Sequence, residues 1–370
     1  MTTLVNEKST DNNFGVFRLI FSYLVVVSHS AELIDGDSHR EPLRRIFGTL
    51  TLGGVAVYGF FLVSGFLIAK SYLSSTSTGD YLLKRVVRIL PGYAVAFFFS
   101  LFFVGHCAGG SFVGLNSDFW IVEIKRFAFL QEPLLPGAFS GSFFPHLNGS
   151  MWTISYEFRC YLLIALLGAV AVLRRPWLML LGAAILLVLA ATPFALSLRW
   201  SDFFDGTVGA IRENIQLTSA FAVGACVYLF RDRLFSSKLV AIIAFVMMIV
   251  SLDQPLFAVP GLIIFGGYAL FFLIFWTPSS FLSGVGRRTD ISYGIYLYAF
   301  PIQKMLISAF PLWEPYAVTA ATMVLVTIVA FLSWTFVERP ALRIRSFVLA
   351  KLTPLGKSRS AVSASATEAG

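Results

Sequence analysis

Apolar residues form long, nearly uninterrupted stretches along this chain, and short segments rich in Lys, Arg, Asp and Glu separate them. A helix needs about 20 apolar residues to cross the hydrocarbon core of a bilayer, so the pattern predicts about ten transmembrane helices. The count is approximate because the seventh stretch is short and polar residues interrupt the sixth. The ten stretches are residues 15–34, 50–69, 90–108, 152–173, 177–197, 214–230, 239–252, 256–275, 291–310 and 317–337.

The composition also indicates a membrane protein. Of 370 residues, 57% are hydrophobic and 13% are charged, whereas an average soluble domain has about 25% charged residues. A disordered chain would be poor in apolar residues. We therefore expect an all-α, polytopic transmembrane bundle over residues 14–350, with a polar tail at residues 1–13 and a disordered tail at residues 351–370.

The distribution of positive charge predicts the orientation of the chain. If the N-terminus is cytoplasmic, 18 of the 28 Lys and Arg residues lie inside, 7 lie outside, and 3 lie within spans. Cytoplasmic loops of membrane proteins are enriched in Lys and Arg, so we expect both termini in the cytoplasm. The net charge of +8 then reflects topology, and no nucleic-acid partner is predicted.

The first predicted span contains two ionisable residues, Arg18 and His29. Their separation of eleven residues is close to three helical turns, so they share one face about 16 Å apart. Ionisable groups within spans are functional candidates by default. The non-functional alternatives are that Arg18 extends its side chain to the membrane interface and that His29 is a packed, hydrogen-bonded residue.

A carboxylate is predicted to orient the imidazole of His29, and two residues compete for this role. Glu157 lies five residues from the start of its predicted span at Trp152, and His29 lies five residues from the end of its own span at Ile34. This spacing predicts one depth for both. Glu32 is the alternative, since it follows His29 by three residues on the same helix face.

The loop after the second stretch contains Lys84, Arg85 and Arg88 at helical spacing. Arginine side chains suit phosphate recognition, so a phosphate-rich ligand such as coenzyme A is one interpretation. An ordinary positive anchor at the membrane surface is the other.

Small residues recur in the second stretch, at Gly53, Gly54, Gly59, Ser64 and Gly65. They favour close packing of helices, or they thin the wall of a channel for an extended ligand. The three cysteines and four histidines are scattered and have no metal-ligand spacing, so no metal is predicted.

Six segments taken together resemble the membrane-bound acyltransferase family 3, over residues 14 to about 345. One departure is Ala299, where many relatives have histidine. The segments are Arg18-x10-His29, FFLVSGFLI at 60–68, RVVRILPGY at 85–93, WTISYE at 152–157, SYGIYLY at 292–298 and FVERP at 336–340.

The resemblance implies acyl transfer, most often from acetyl-CoA, to a hydroxyl group of a glycan or lipid-linked glycan. It implies His29 as general base, with Arg18 and Glu157 in the catalytic set. It also implies an integral protein of the bacterial cytoplasmic (inner) membrane. A transporter or flippase is the alternative function.

The remaining binding residues follow from the same resemblance. Lys84, Arg85, Arg88 and Ser64 are expected to bind the acyl-CoA. Trp152 and Tyr156 are expected to stack on an acceptor sugar, with an interfacial aromatic belt as the alternative.

Overall fold

A computed structural model describes residues 13–192, 211–234, 237–277 and 289–344. The predicted polar tail, apart from Asn13, and the predicted disordered tail lie outside these ranges. Within them, every regular element is helical, which confirms the all-α class. The main helices are α1 Phe14–Asp35, α2 Leu52–Leu73, α3 Thr78–Cys107, α4 Ser117–Ala128, α5 Trp152–Ala169, α6 Pro176–Ala191, α7 Ile211–Leu234, α8 Lys238–Leu252, α9 Ala258–Trp276, α10 Ser292–Ala309 and α11 Pro315–Ile344.

Five of these helices (α1, α2, α3, α9 and α11) are long and apolar enough to cross a membrane. Helices α6 and α8 are apolar but shorter, while α5, α7 and α10 include charged residues. Each of the ten predicted stretches coincides with one helix over its described residues. The number of spans and the side of the termini remain predictions.

Local sequence signals set the helix ends. The side chains of Thr51, Ser77 and Asn116 accept hydrogen bonds from backbone N–H groups in the first turns of α2, α3 and α4. These are the residue types that cap helix N-termini. At the other end of α1, Gly36 adopts a left-handed conformation with φ of 76°, which suits glycine.

Helix α2 lies at the centre of the bundle, where it packs against α1 and α7. A Cβ atom on Gly65 would lie 2.0 Å from the carbonyl oxygen of Phe221, and one on Gly224 would lie 2.0 Å from that of Leu62. Only glycine permits this contact between two helix backbones. Helix α6 instead exposes side chains such as Leu181 and Val188, as expected of a surface that faces lipid.

Candidate active site

A cavity lies among α1, α2, α5 and α10. We call it the Arg18 cavity. Its polar lining includes Arg18, Ser64, Glu157 and Ser292. Ser64 Oγ donates to Glu157 Oε1 at 2.8 Å, and Tyr161 Oη donates to the same oxygen at 2.6 Å. Ser64 is therefore a partner of Glu157, a contact that the sequence did not predict.

An ion-pair network joins this cavity to three other segments. Asp290 Oδ2 accepts hydrogen bonds from Arg18 Nη1 at 2.7 Å and from Arg88 Nη2 at 2.5 Å. Ser292 Oγ donates to Asp290 Oδ1 at 2.6 Å, and Arg88 lies 3.5 Å from Glu338. Burial raises the pKa of the Asp290 carboxyl, but the two guanidinium groups outweigh burial and hold that pKa well below its usual range.

Sequence reasoning assigned no role to the two acids of this network. Asp290 lies two residues before Ser292, where the SYGIYLY segment begins, and that adjacency was the available signal. Glu338 lies in the FVERP segment, at the end of a π-helical turn over Trp334–Glu338. Such turns often occur at functional sites.

The three basic residues predicted to bind phosphate have different environments. Arg88 is neutralised by two carboxylates, as described above. Lys84 pairs with Asp80 at 2.6 Å and donates to Ser75 at 2.8 Å. Arg85 donates to Ser71 at 3.3 Å, and its buried Nε has no hydrogen-bond partner in the described part of the chain. Arg85 is thus the most available of the three for an anionic ligand.

His29 lines a second cavity, and we call it the His29 cavity. Its lining also includes Glu32, Trp152 and Glu213. The His29 ring packs edge-on against Phe300, with 5.8 Å between the ring centroids. Arg18 and His29 thus face two separate cavities from the same side of α1.

Glu157 and His29 line different cavities, and their pairing at one depth stays a prediction. Among the described residues, no hydrogen bond joins His29 to either carboxylate, but Glu32 shares its cavity. Trp152 also lines that cavity, so Glu157 lies five residues, or about 7.5 Å, further along α5.

The chain enters the bundle before α5 begins. Asn148 is fully buried, and its side-chain amide donates to the carbonyl oxygen of Leu297 at 2.8 Å and to Ser100 at 3.2 Å. The buried turn Gly149–Met151 then leads into α5. Helix α5 therefore begins inside the bundle, and its first residue, Trp152, lines the cavity that contains His29.

The two predicted acceptor-binding aromatic residues occupy different positions. Trp152 lines the His29 cavity and is 40% exposed, which leaves its ring available to a ligand. Tyr156 is buried, and the Arg159 guanidinium covers its ring at 4.4 Å. The Trp152 and Tyr156 rings pack edge-on with 5.4 Å between their centroids, so Tyr156 supports the position of the Trp152 ring.

Sequence reasoning also missed Glu213. One of its carboxylate oxygens is buried and lacks a hydrogen-bond partner within the described ranges. The predicted sixth span began at residue 214, one position too late to include Glu213 as an ionisable group in a span. The His29 cavity therefore contains two carboxylates, Glu32 and Glu213.

Comparisons with known proteins agree with the sequence segments. A family model described as an acyltransferase domain matches residues 11–335. An O-acetyl transferase from Shigella phage Sf6 is 28% identical, over 89% of this chain and 95% of its own length. Nodulation protein 10 from Rhizobium leguminosarum bv. viciae is 27% identical, over 94% of this chain and 98% of its own length. Acyltransferase MdmB from Streptomyces mycarofaciens is 32% identical over 30% of this chain. No solved structure matches.

Proposed function

This chain belongs to acyltransferase family 3, and from that premise we propose that it is a membrane O-acetyltransferase. It transfers an acetyl group from acetyl-CoA to a hydroxyl of a glycan or lipid-linked glycan. The observation that carries the proposal is the pair of abutting cavities, which share Val57 and Tyr296 in their linings. The family match favours this activity over the transporter or flippase.

The donor substrate enters on the Arg18 side, which the charge distribution predicts to be cytoplasmic. Acetyl-CoA is a cytoplasmic metabolite with several phosphates, and guanidinium groups bind phosphates well. The buried Nε of Arg85, with no partner among the described residues, fits such an anion. Arg18 is the guanidinium group in the lining of the Arg18 cavity. The similarity to the phage O-acetyl transferase supports acetyl as the group transferred.

The acceptor occupies the His29 cavity. Carboxylates such as Glu32 and Glu213 accept hydrogen bonds from hydroxyl groups, and the exposed ring of Trp152 offers an apolar face to a sugar. His29 removes the proton from the acceptor hydroxyl, a task suited to an imidazole. Of the two carboxylates predicted to orient the imidazole, Glu32 is the one that lines this cavity. The relatives come from bacteria and a bacteriophage, in support of a bacterial inner-membrane location.

The test uses purified protein in nanodiscs, acetyl-CoA labelled on the acetyl group, and a surface-glycan extract as acceptor. We expect alkali-labile label on the glycan and release of free thiol with the wild type. We expect His29→Ala to abolish both the labelling of the glycan and the release of free thiol. His106→Ala is the matched control, because His106 is exposed at the end of α3, and it retains wild-type activity.

Two results would overturn parts of the proposal. Full activity in His29→Ala would exclude His29 as the base. Absence of thiol release with the wild type, together with no binding of acetyl-CoA, would exclude acetyl-CoA as the donor.

A further inference from the structure

Transfer between the two cavities requires a reaction centre where they meet. Two described residues, Val57 and Tyr296, line both cavities. The valine side chain offers no hydrogen bond, so Tyr296 supplies the polar side-chain group at this junction. Its hydroxyl lies 2.6 Å from the hydroxyl of Thr153, which lines the Arg18 cavity.

The hydroxyl pair leaves one proton unused. Each hydroxyl has one proton to donate and two lone pairs that accept. A single hydrogen bond joins the pair, so one proton remains for another acceptor. Either hydroxyl can be the donor in this contact. When Thr153 donates to Tyr296, the Tyr296 proton is left for a third group, and a phenol is a stronger donor to that group than an aliphatic alcohol.

We propose that Tyr296 donates this hydrogen bond to the oxyanion formed during acyl transfer. Tyr296 is then a catalytic residue, and Thr153 is a positioning residue that acts through it. The inference rests on the proposed function and names the group that stabilises charge at its reaction centre.

In this step the acceptor oxygen attacks the thioester carbonyl carbon while its proton passes to the His29 imidazole. The electron pair of the C=O bond moves to the carbonyl oxygen, which becomes the oxyanion that Tyr296 stabilises. Collapse of this intermediate restores the carbonyl and breaks the C–S bond. The departing thiolate takes the proton from His29, so the products are an ester and free coenzyme A.

Packing holds Tyr296 in place before any substrate arrives. The residue is 8% exposed, and its ring packs edge-on against Phe60 at 5.8 Å. Phe300, which contacts His29, lies one turn further along α10, about 6 Å away. A donor held in this way needs no reorganisation when charge develops, the property that makes oxyanion stabilisation effective.

The test compares Tyr296→Phe with Tyr298→Phe in the labelled-acetyl assay. Tyr298 is the matched control, since it is buried in the same helix at 4% exposure. We expect Tyr296→Phe to lower kcat about 10²- to 10³-fold, as loss of one oxyanion donor does, with little change in acetyl-CoA affinity. Tyr298→Phe retains kcat within about threefold. Retention of kcat by Tyr296→Phe would overturn the inference, as would a loss equal to that of Tyr298→Phe.

A second pair of variants separates positioning from folding. Thr153→Val removes the partner of the Tyr296 hydroxyl, whereas Thr153→Ser keeps a hydroxyl there. We expect kcat to fall in the valine variant and to recover in the serine variant, with the donor KM unchanged in both. Equal kcat in the two variants would contradict the positioning role. If the wild type moves no label at all, the proposed function fails before any variant is compared.

Discussion

Replacing Gly65 with alanine tests the crossing of α2 and α7, where two helix backbones meet. The added Cβ atom would lie 2.0 Å from the Phe221 carbonyl oxygen and 3.0 Å from the Ala225 nitrogen. Real Cβ atoms essentially never approach another atom within 3.0 Å, and here the neighbour is backbone. The two helices must therefore separate locally by at least about 1 Å.

The cost follows from that separation. A gap of about 0.5–1 Å forfeits roughly a quarter to a half of the dispersion energy of the atoms that face it. Overpacked cores typically lose about 1–3 kcal/mol, and we expect Gly65→Ala to lose at least this much. Ser64, the neighbour of Gly65, donates to Glu157, so we expect acetyl transfer to fall together with stability.

The matched control is Gly182→Ala on α6. A Cβ atom at Gly182 meets nothing within 4 Å, so the alanine keeps the helix and creates no clash. Its higher helix propensity adds up to about 1 kcal/mol of stability. Both variants are compared with the wild type by thermal unfolding in one detergent. Equal unfolding temperatures for Gly65→Ala and Gly182→Ala would refute the reasoning.

Two further predictions concern the charged groups. Asp290→Asn removes the carboxylate that Arg18 and Arg88 share, but these groups are only partly buried and Arg88 keeps Glu338, so we expect a cost below the about 3–5 kcal/mol of a broken, fully buried pair. Because the folded pKa of Asp290 is lowered, its contribution is complete above the unfolded pKa of about 3.9 and is lost as pH falls through the folded value. The stability difference from wild type, measured by thermal unfolding, should therefore shrink below about pH 4; a constant difference would contradict this. Arg85→Ala should raise the acetyl-CoA KM more than Lys84→Ala does, because the Lys84 ammonium already pairs with Asp80. Equal KM values in thiol-release assays would exclude Arg85 from the donor site.

The sequence by itself determined the helical class, the approximate positions of ten helices and the family, but not α4, which no predicted stretch covers. These features depend on local properties, namely stretches of apolar residues and short motifs. Such properties can be recognised without knowing which distant residues they contact. The shared face of Arg18 and His29 was predictable for the same reason, because both residues belong to one helix and the helical repeat fixes their relation.

Only the tertiary structure decided which residues from different helices meet. Glu157 accepts a hydrogen bond from Ser64 of α2, and Asn148, just before α5, donates to Leu297 of α10. Asp290 meets Arg18 through a contact that spans most of the chain. The relative depth of two helices depends on their connecting loops and on side-chain packing, and the hydrophobic pattern within one helix does not contain that information.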